Sequence, residues 1–499
     1  MGEKVVATRA ELSDRQLYRR KLQSCLDVLE RMLREKRFDR PKAMMGLEIE
    51  LNLADEQGHP VLGNAEVLKS IASGDFQTEL GQFNIEVNIA PRRLTGHVLE
   101  ELREEIDTGL RYADRKASEV GARIVMVGIL PTLDLDHTGV DAMSHNDRYT
   151  LLSDQILAAR GEDIALDIQG VEHLAVESVS MVAEAAATSL QLHLQVTPER
   201  FASVWNAAQA LSAAQLALGA NSPFLFGREL WRETRPVLFQ QACDTRSAEL
   251  KAQGVRPITW FGERWVDSAL DLFAENLRYF PALLPICDDE DPAKVLASGG
   301  VPRLGEMRLH NGTIYRWNRP VYDVADGVAH LRVENRCLPA GPTVVDTLAN
   351  AAFYYGLVRV LAAQSRPIWT RLPFETADEN FHTAARYGID AQLIWSRSGR
   401  GGRGLAPVAA TDLVLNELLP LAHQGLDEWG IEAADRDRYL GIIEQRCLRR
   451  TNGAAWQAAT VHRLRESHHL DPAEAIAAMT RRYVEHMRSG EPVHTWPVG

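Results

Sequence analysis

Four short segments of the chain alternate strictly between apolar and polar residues, and the polar residues they carry constrain the fold more than any other feature. Residues 47 to 53 set Glu48, Glu50 and Asn52 against Leu47, Ile49, Leu51 and Leu53; residues 83 to 89 present Asn84, Glu86 and Asn88; residues 190 to 196 present Gln191, His193 and Gln195; residues 331 to 336 present Arg332, Glu334 and Arg336. A period of two puts successive side chains on opposite faces of an extended strand, so each segment has one face for a core and one for something else. Any one of them alone fits the wet side of a half-buried sheet. The four together fit it less well, because a solvated face samples the whole polar alphabet, and none of these faces carries lysine, serine or threonine. Carboxylates side by side repel unless a cation lies between them, and hard divalent cations are held by oxygen ligands. Arginines beside such a cluster suit a polyanion that shares the site, such as a nucleoside triphosphate. The set points to phosphoryl transfer with two or more Mg²⁺ or Mn²⁺ ions.

Around these strands the periodicity changes. Leu17, Leu22, Leu26, Leu29 and Leu33 recur at helical spacing within residues 11 to 36, and predict an amphipathic helix. Strands are expected at 44 to 53 and at 82 to 90, the second closed by Pro91, then a polar helix at about 95 to 118 and a buried strand at 122 to 130. No assignment follows for 144 to 185. The strand at 188 to 196 runs into Pro198, which suits the first turn of a helix ending near Gly219, and the strand at 329 to 336 precedes an apolar helix at about 343 to 364. These elements do not repeat as βαβ units, so a mixed α+β body with an antiparallel sheet is favoured over a doubly wound one. The stretch RSGRGGRG at 397 to 404 reads as a flexible connector, with a wholly helical region after it. The domain reading is therefore an N-terminal helix packed on the body (1 to 40), a catalytic body (41 to 396), and a connector with a helical C-terminal region (397 to 499).

Composition excludes several classes. At 499 residues with 45% hydrophobic and 25% charged residues the chain is an ordinary folded protein. A net charge of -13 leaves no diffuse basic surface for nucleic acid. The charged N-terminus and the lack of a long apolar run predict no membrane span and a cytoplasmic location. Five cysteines without CxxC spacing (Cys25, Cys243, Cys287, Cys337, Cys447) are expected to be reduced, and buried as small hydrophobes.

The ordered motifs GLEIEL (46 to 51), TELGQFNIEVNIAP (78 to 91), TSLQLHLQV (188 to 196), ALGANSPFLFG (217 to 227) with WRETR (231 to 235), and NGTIYRWNRPVYDVADGVAHLRVENR (311 to 336) resemble those of the glutamate-cysteine ligases and their carboxylate-amine ligase relatives, over about 290 residues. The resemblance implies a glutamine synthetase-like antiparallel catalytic sheet surrounded by helices. It also implies an ATP-dependent ligase with Mg²⁺ or Mn²⁺, of the kind used in glutathione biosynthesis. A carboxylate, the γ-carboxylate of L-glutamate by analogy, is activated as an acyl phosphate and captured by an amine such as L-cysteine. By motif match, Glu48, Glu50, Glu79, Glu86, His193 and Glu334 resemble the family's metal ligands, and Arg336 with Glu334 its catalytic Glu-x-Arg pair. Arg235, Arg246, Arg319, Arg332 and Asn88 fall where ATP or substrate would bind. The family's commoner central motif has two histidines; here Gln191 and His193 occupy those positions. His59, His145 and His310 sit in no motif and read as structural or exposed. Small-molecule substrates are the implied partners, and an oligomer is compatible with the sequence. Other readings of the same cluster are a metal-dependent phosphohydrolase acting on water, a non-catalytic nucleotide binder, and a modifier of peptides or proteins that docks its partner on the helical tail.

Overall fold

The computed structural model describes residues 12–39, 43–399 and 402–498. The expectations placed on residues 1 to 11 and on positions 40 to 42, 400, 401 and 499 lie outside the described residues. Seven strands form the main sheet, labelled here in chain order: β1 (Met44–Ala54), β2 (Phe76–Thr78), β3 (Asn84–Arg93), β4 (Arg123–Val125), β5 (Ser189–Val196), β6 (Asn318–Ala325) and β7 (Val328–Pro339). Their spatial order is β6-β7-β5-β1-β3-β2, with β4 paired to the far end of β1, and every pairing is antiparallel. Register shifts between Met45 and Leu47 and between Asn335 and Leu338 interrupt the pairing of β1 with β3 and of β7 with β5. Bulges of this kind bend a strand and increase its twist.

The apolar half of each alternating segment goes to the core. Leu47, Ile49, Ile85, Leu190, Leu192, Leu331 and Val333 are all buried, and the helix Pro198–Gly219 covers that side of the sheet. Against it packs the helix Val344–Leu361, whose Tyr355 hydroxyl reaches the sheet itself, at 3.2 and 3.0 Å from the carbonyls of Gly46 and His193. The helix Pro198–Gly219 is held to the sheet by a buried amide network. Gln209 and Ser212 each accept from the Asn318 amide at 2.7 and 3.1 Å, and Gln215 donates to Asn335 at 3.2 Å.

Helix Leu12–Glu35 packs on the helices Ala269–Tyr279, Pro292–Ala297 and Gly305–Asn311. Its buried stripe is Tyr18, Leu22, Cys25, Leu29 and Met32. Leu22 and Leu29 of the leucine pattern lie on that stripe, whereas Leu26 and Leu33 are half-buried at its edge and Leu17 is exposed, Tyr18, Cys25 and Met32 taking the buried places beside them. The undivided stretch 144 to 185 resolves into the helix Asp147–Arg160, the hairpin Ile164–Gln169 with His173–Ser178, and a 3-10 turn at Met181–Ala186. Only Arg123–Val125 of the expected strand at 122 to 130 pairs; Met126, Val127, Ile129 and Leu130 are buried without a ladder.

The Gly/Arg-rich stretch is a hairpin, not a connector: Gln392–Gly399 pairs with Gly402–Ala409, and Leu393 and Trp395 are buried. The helices beyond it pack on the body. Helices Leu419–Trp429 and Ala433–Arg449 lie against Val344–Leu361, where Gly425 and Gly356 meet backbone to backbone. A Cβ on Gly425 would stand 1.8 Å from the Gly356 carbonyl oxygen, so only glycine permits this approach. All five cysteines are free. No helix among the described residues is long and apolar enough to cross a membrane.

Candidate functional site

The polar faces of β3, β1, β5 and β7 meet as one surface because the register aligns them. Glu50 pairs with Glu86, Glu48 with Asn88 on one side and Gln191 on the other, His193 with Glu334, and Arg319 of β6 with Glu334. This surface is the floor of a cavity whose walls include Glu79, Arg148, Tyr149, Glu184, Arg235, Phe239, Tyr315 and Trp317. A second cavity adjoins it over Arg319, Arg332 and Glu334, and Glu48 and Arg148 line both.

At one end of the floor three carboxylates converge. Glu50, Glu79 and Glu86 each offer an oxygen within 4.8 Å of the others. Glu50 is oriented by the Ser189 backbone N–H at 2.6 Å and the Gln191 amide at 2.8 Å, and Glu86 by the Asn88 amide at 2.7 Å. Glu79, in the loop after β2, is contacted by the neighbouring Leu80 N–H at 3.3 Å. Burial raises the proton affinity of Glu79 well above the ordinary range, and the adjacent Glu86 and Glu50 raise it further. Glu86 is pushed up to about 7 by burial and by the charges of Glu48 and Glu50. Burial also raises Glu50, against the opposing pull of Arg336 and Ser189. Three partly desolvated carboxylates that repel one another form a hard oxygen donor set suited to a divalent cation. Mg²⁺ or Mn²⁺ fits these residues.

Farther along, the charges are already matched. Glu334 is 1% exposed and takes Arg319 at 2.8 Å and Arg336 at 2.5 Å. Burial alone would raise its pKa, but the two guanidiniums outweigh that and hold it well below the usual carboxylate range. Arg336 also donates to Gln191 at 2.5 Å, and the surrounding carboxylates keep it protonated despite its partial burial. His193 Nε2 lies 3.0 Å from a Glu48 carboxylate oxygen, without the alignment of a hydrogen bond, and its Nδ1 accepts from Arg332 at 3.2 Å. Burial opposes ionisation of Glu48, yet the imidazole holds it down to about 2.

Of the six residues expected to ligate metal, the structure therefore brings Glu50, Glu79 and Glu86 together, and sets Glu48, His193 and Glu334 in the adjoining charge-paired row. Arg235 lines the cavity while bonded to Glu233 at 2.5 Å and to the Cys337 carbonyl at 2.7 Å. Asn88 acts through Glu86. Arg246 lies outside both cavities, folded back on Asp244 at 2.8 Å and on the Val255 carbonyl at 2.7 Å. His310 is buried and bonded to the Asn276 carbonyl at 3.1 Å, and His59 and His145 are exposed.

Sequence reasoning missed Arg148 and Glu184, both in the stretch left undivided. Arg148 opens the helix Asp147–Arg160, whose N-cap Asn146 accepts from the Arg148 N–H; Asn-Asp ahead of Arg148 is the signal that marks this start. Its guanidinium makes no ion pair with another described residue and faces both cavities.

Comparison with known proteins identifies the family. The family model described as Glutamate-cysteine ligase family 2 matches residues 44–469. A relative from Paenarthrobacter aurescens (strain TC1), provisionally named glutamate-cysteine ligase 2-1, is 27% identical over 463 residues, covering 89% of this chain and 97% of its own length. The crystal structure of the glutamate-cysteine ligase of Francisella tularensis in complex with AMP superposes with a TM-score of 0.54 at 12% identity, covering 93% of this chain and 91% of that one. It shares the fold.

Proposed function

The chain belongs to glutamate-cysteine ligase family 2 and is an ATP-dependent ligase; on that premise we propose that it activates the γ-carboxylate of L-glutamate as an acyl phosphate and joins it to an amine such as L-cysteine. The observation that carries this reading is the Glu50, Glu79 and Glu86 cluster standing in one cavity with Arg319 and Arg336. Mg²⁺ or Mn²⁺ on those carboxylates would neutralise the triphosphate and align the γ-phosphate for in-line transfer.

The chain's own groups do the positioning. Ser189 and Gln191 fix Glu50, and Asn88 fixes Glu86, so the donor oxygens are held before any ligand arrives. Arg336, anchored by Glu334 and Gln191, is a preorganised cation for the charge on the transferring phosphoryl group. One such donor typically lowers the barrier by roughly 3 to 4 kcal/mol. Glu334 serves as the arginines' anchor, since Arg319 and Arg336 occupy its oxygens. The catalytic body is assigned to residues 41–396, with the N-terminal helix and the C-terminal helices as buttresses.

The test is ADP release from purified protein given MgATP and L-glutamate, with and without L-cysteine and then a panel of other amines. ADP and an amide product that both require carboxylate and amine together are the expected result. ADP formed at the same rate without either would make the protein a hydrolase and contradict the reading.

A further inference from the structure

Glu184 is a carboxylate with no assigned work. It sits on the turn Met181–Ala186, in the wall of the main cavity beyond the three-glutamate cluster. Cys243 Sγ donates to it at 3.2 Å, and no cationic side chain among the described residues lies within ion-pair distance of it. Of the arginines lining the cavity, Arg235 is engaged by Glu233 and Arg336 by Glu334 and Gln191, and Arg148 lies beyond ion-pair distance of Glu184. A carboxylate left unpaired in a partly desolvated wall calls for a cation from outside. The same wall is aromatic. Phe239 stands edge-on to Tyr315 with centroids 4.7 Å apart and to Trp317 at 6.2 Å, and all three rings line the cavity. Rings give a metal ion no hard donor, but their faces attract an organic ammonium, and a carboxylate beside them completes a site for one.

We propose that Glu184, with Phe239, Tyr315 and Trp317, forms the acceptor subsite, that it takes a primary ammonium carrying an apolar body, and that Glu184 is the base that readies it. The base role rests on the ligase reading above; the binding role does not. In the reaction, the ammonium gives one proton to the Glu184 carboxylate. Its nitrogen then bonds the acyl carbon as the acyl C–O bond to phosphate breaks, and the second proton leaves with the departing HPO₄²⁻. Glu184 returns its proton to solvent before the next turnover. Its proton affinity suits a base that works near neutral pH. Burial pushes it up to about 7, with Glu50 adding to the rise, while the Cys243 hydrogen bond and the charge of Arg336 oppose it. Tyr149 and Tyr315 also face it, both neutral, their ionisation suppressed by burial.

The experiment is calorimetric titration of the full-length protein with 2-phenylethylamine, its neutral counterpart 2-phenylethanol, and n-butylamine at pH 8, without ATP. The amine should bind at least tenfold tighter than the alcohol. Glu184→Gln should weaken the amine at least tenfold and leave the alcohol unchanged, and Phe239→Leu should weaken both phenyl probes, which keeps the proposal testable if the glutamine variant folds poorly. Equal affinity for amine and alcohol, or an amine that binds Glu184→Gln as it binds the wild type, overturns the proposal. The two readings fail separately. Amine binding that behaves as expected, in a protein that never couples ATP to a carboxylate, would sink the ligase reading and keep the subsite. Amine-dependent turnover that Glu184→Gln leaves intact would sink the subsite and keep the ligase.

Discussion

Glu48 on β1 and Glu334 on β7 flank His193 on the intervening β5, yet they and the nearby trio of Glu50, Glu79 and Glu86 have opposite electrostatics. The first two are matched by His193 and by Arg319 with Arg336, while no cationic side chain among the described residues lies within ion-pair distance of the trio. That division was only half legible in the sequence. Alternation placed Glu48, Glu50, Glu86, His193 and Glu334 on one face, because a period of two is a purely local signal. Which carboxylate an arginine would reach is decided by register across strands that are far apart in the chain, and no local pattern records it. Glu79 lies on a loop and was found by motif resemblance alone. Arg246 was misplaced because Asp244, two residues earlier, captures it. Arg148 has no such captor among the described residues and stands where both cavities meet, beside Gly312. A charge-assisted hydrogen bond contributes about 1.5 to 3 kcal/mol. Arg148→Ala is accordingly expected to raise the KM for ATP or for the carboxylate substrate by about 10- to 100-fold, without changing the melting temperature. Steady-state kinetics with each substrate varied in turn would check it, and unchanged constants would remove Arg148 from the site.

At the scale of elements, the strands and helices that carry one long period were readable, and those that switch period quickly were not. The stretch 144 to 185 holds a helix, a hairpin and a 3-10 turn, too short a run of each to establish a pattern. The hairpin at 392 to 409 was hidden by the glycines of its tip, which resemble a linker, although Leu393 and Trp395 alternate ahead of them. A continuous apolar run such as 122 to 130 does not reveal whether it joins a ladder. The packing of the C-terminal helices was equally silent, because a lone glycine in a helical pattern states a cost of about 1 kcal/mol against alanine and not its reason. Here the reason is the Gly356 to Gly425 crossing. Gly425→Val forces the two helices apart, and should destabilise the protein by about 3 kcal/mol or more. Denaturant melts would measure it. A variant as stable as the wild type would mean that the helices Val344–Leu361 and Leu419–Trp429 do not pack this closely.

For the whole molecule, the site is a charge imbalance built across the sheet, and it ties stability to pH. Glu79, Glu86 and Glu184 bind protons more tightly folded than unfolded, so the stability they contribute is present below about pH 4.5, their unfolded range, and is lost as pH rises through the folded values, about 7 for Glu86 and Glu184. Glu48 and Glu334 do the reverse: their contribution is present above about 4.5 and is lost as pH falls, toward about 2 for Glu48. The metal-free protein should therefore melt at progressively lower temperature from pH 5.5 to 8, and Mg²⁺ should flatten that decline by replacing the protons. A melting temperature that rises over this range without metal would contradict the assignment. The central claim is that β1, β3 and the loop after β2 converge to hold a divalent cation. The most direct measurement is Mn²⁺ binding followed by electron paramagnetic resonance at pH 7.5, in the wild type and in Glu79→Gln. Saturable Mn²⁺ retention by the wild type that weakens at least tenfold in a folded Glu79→Gln is the result expected; equal retention by both would place the metal elsewhere and undo the account of the site.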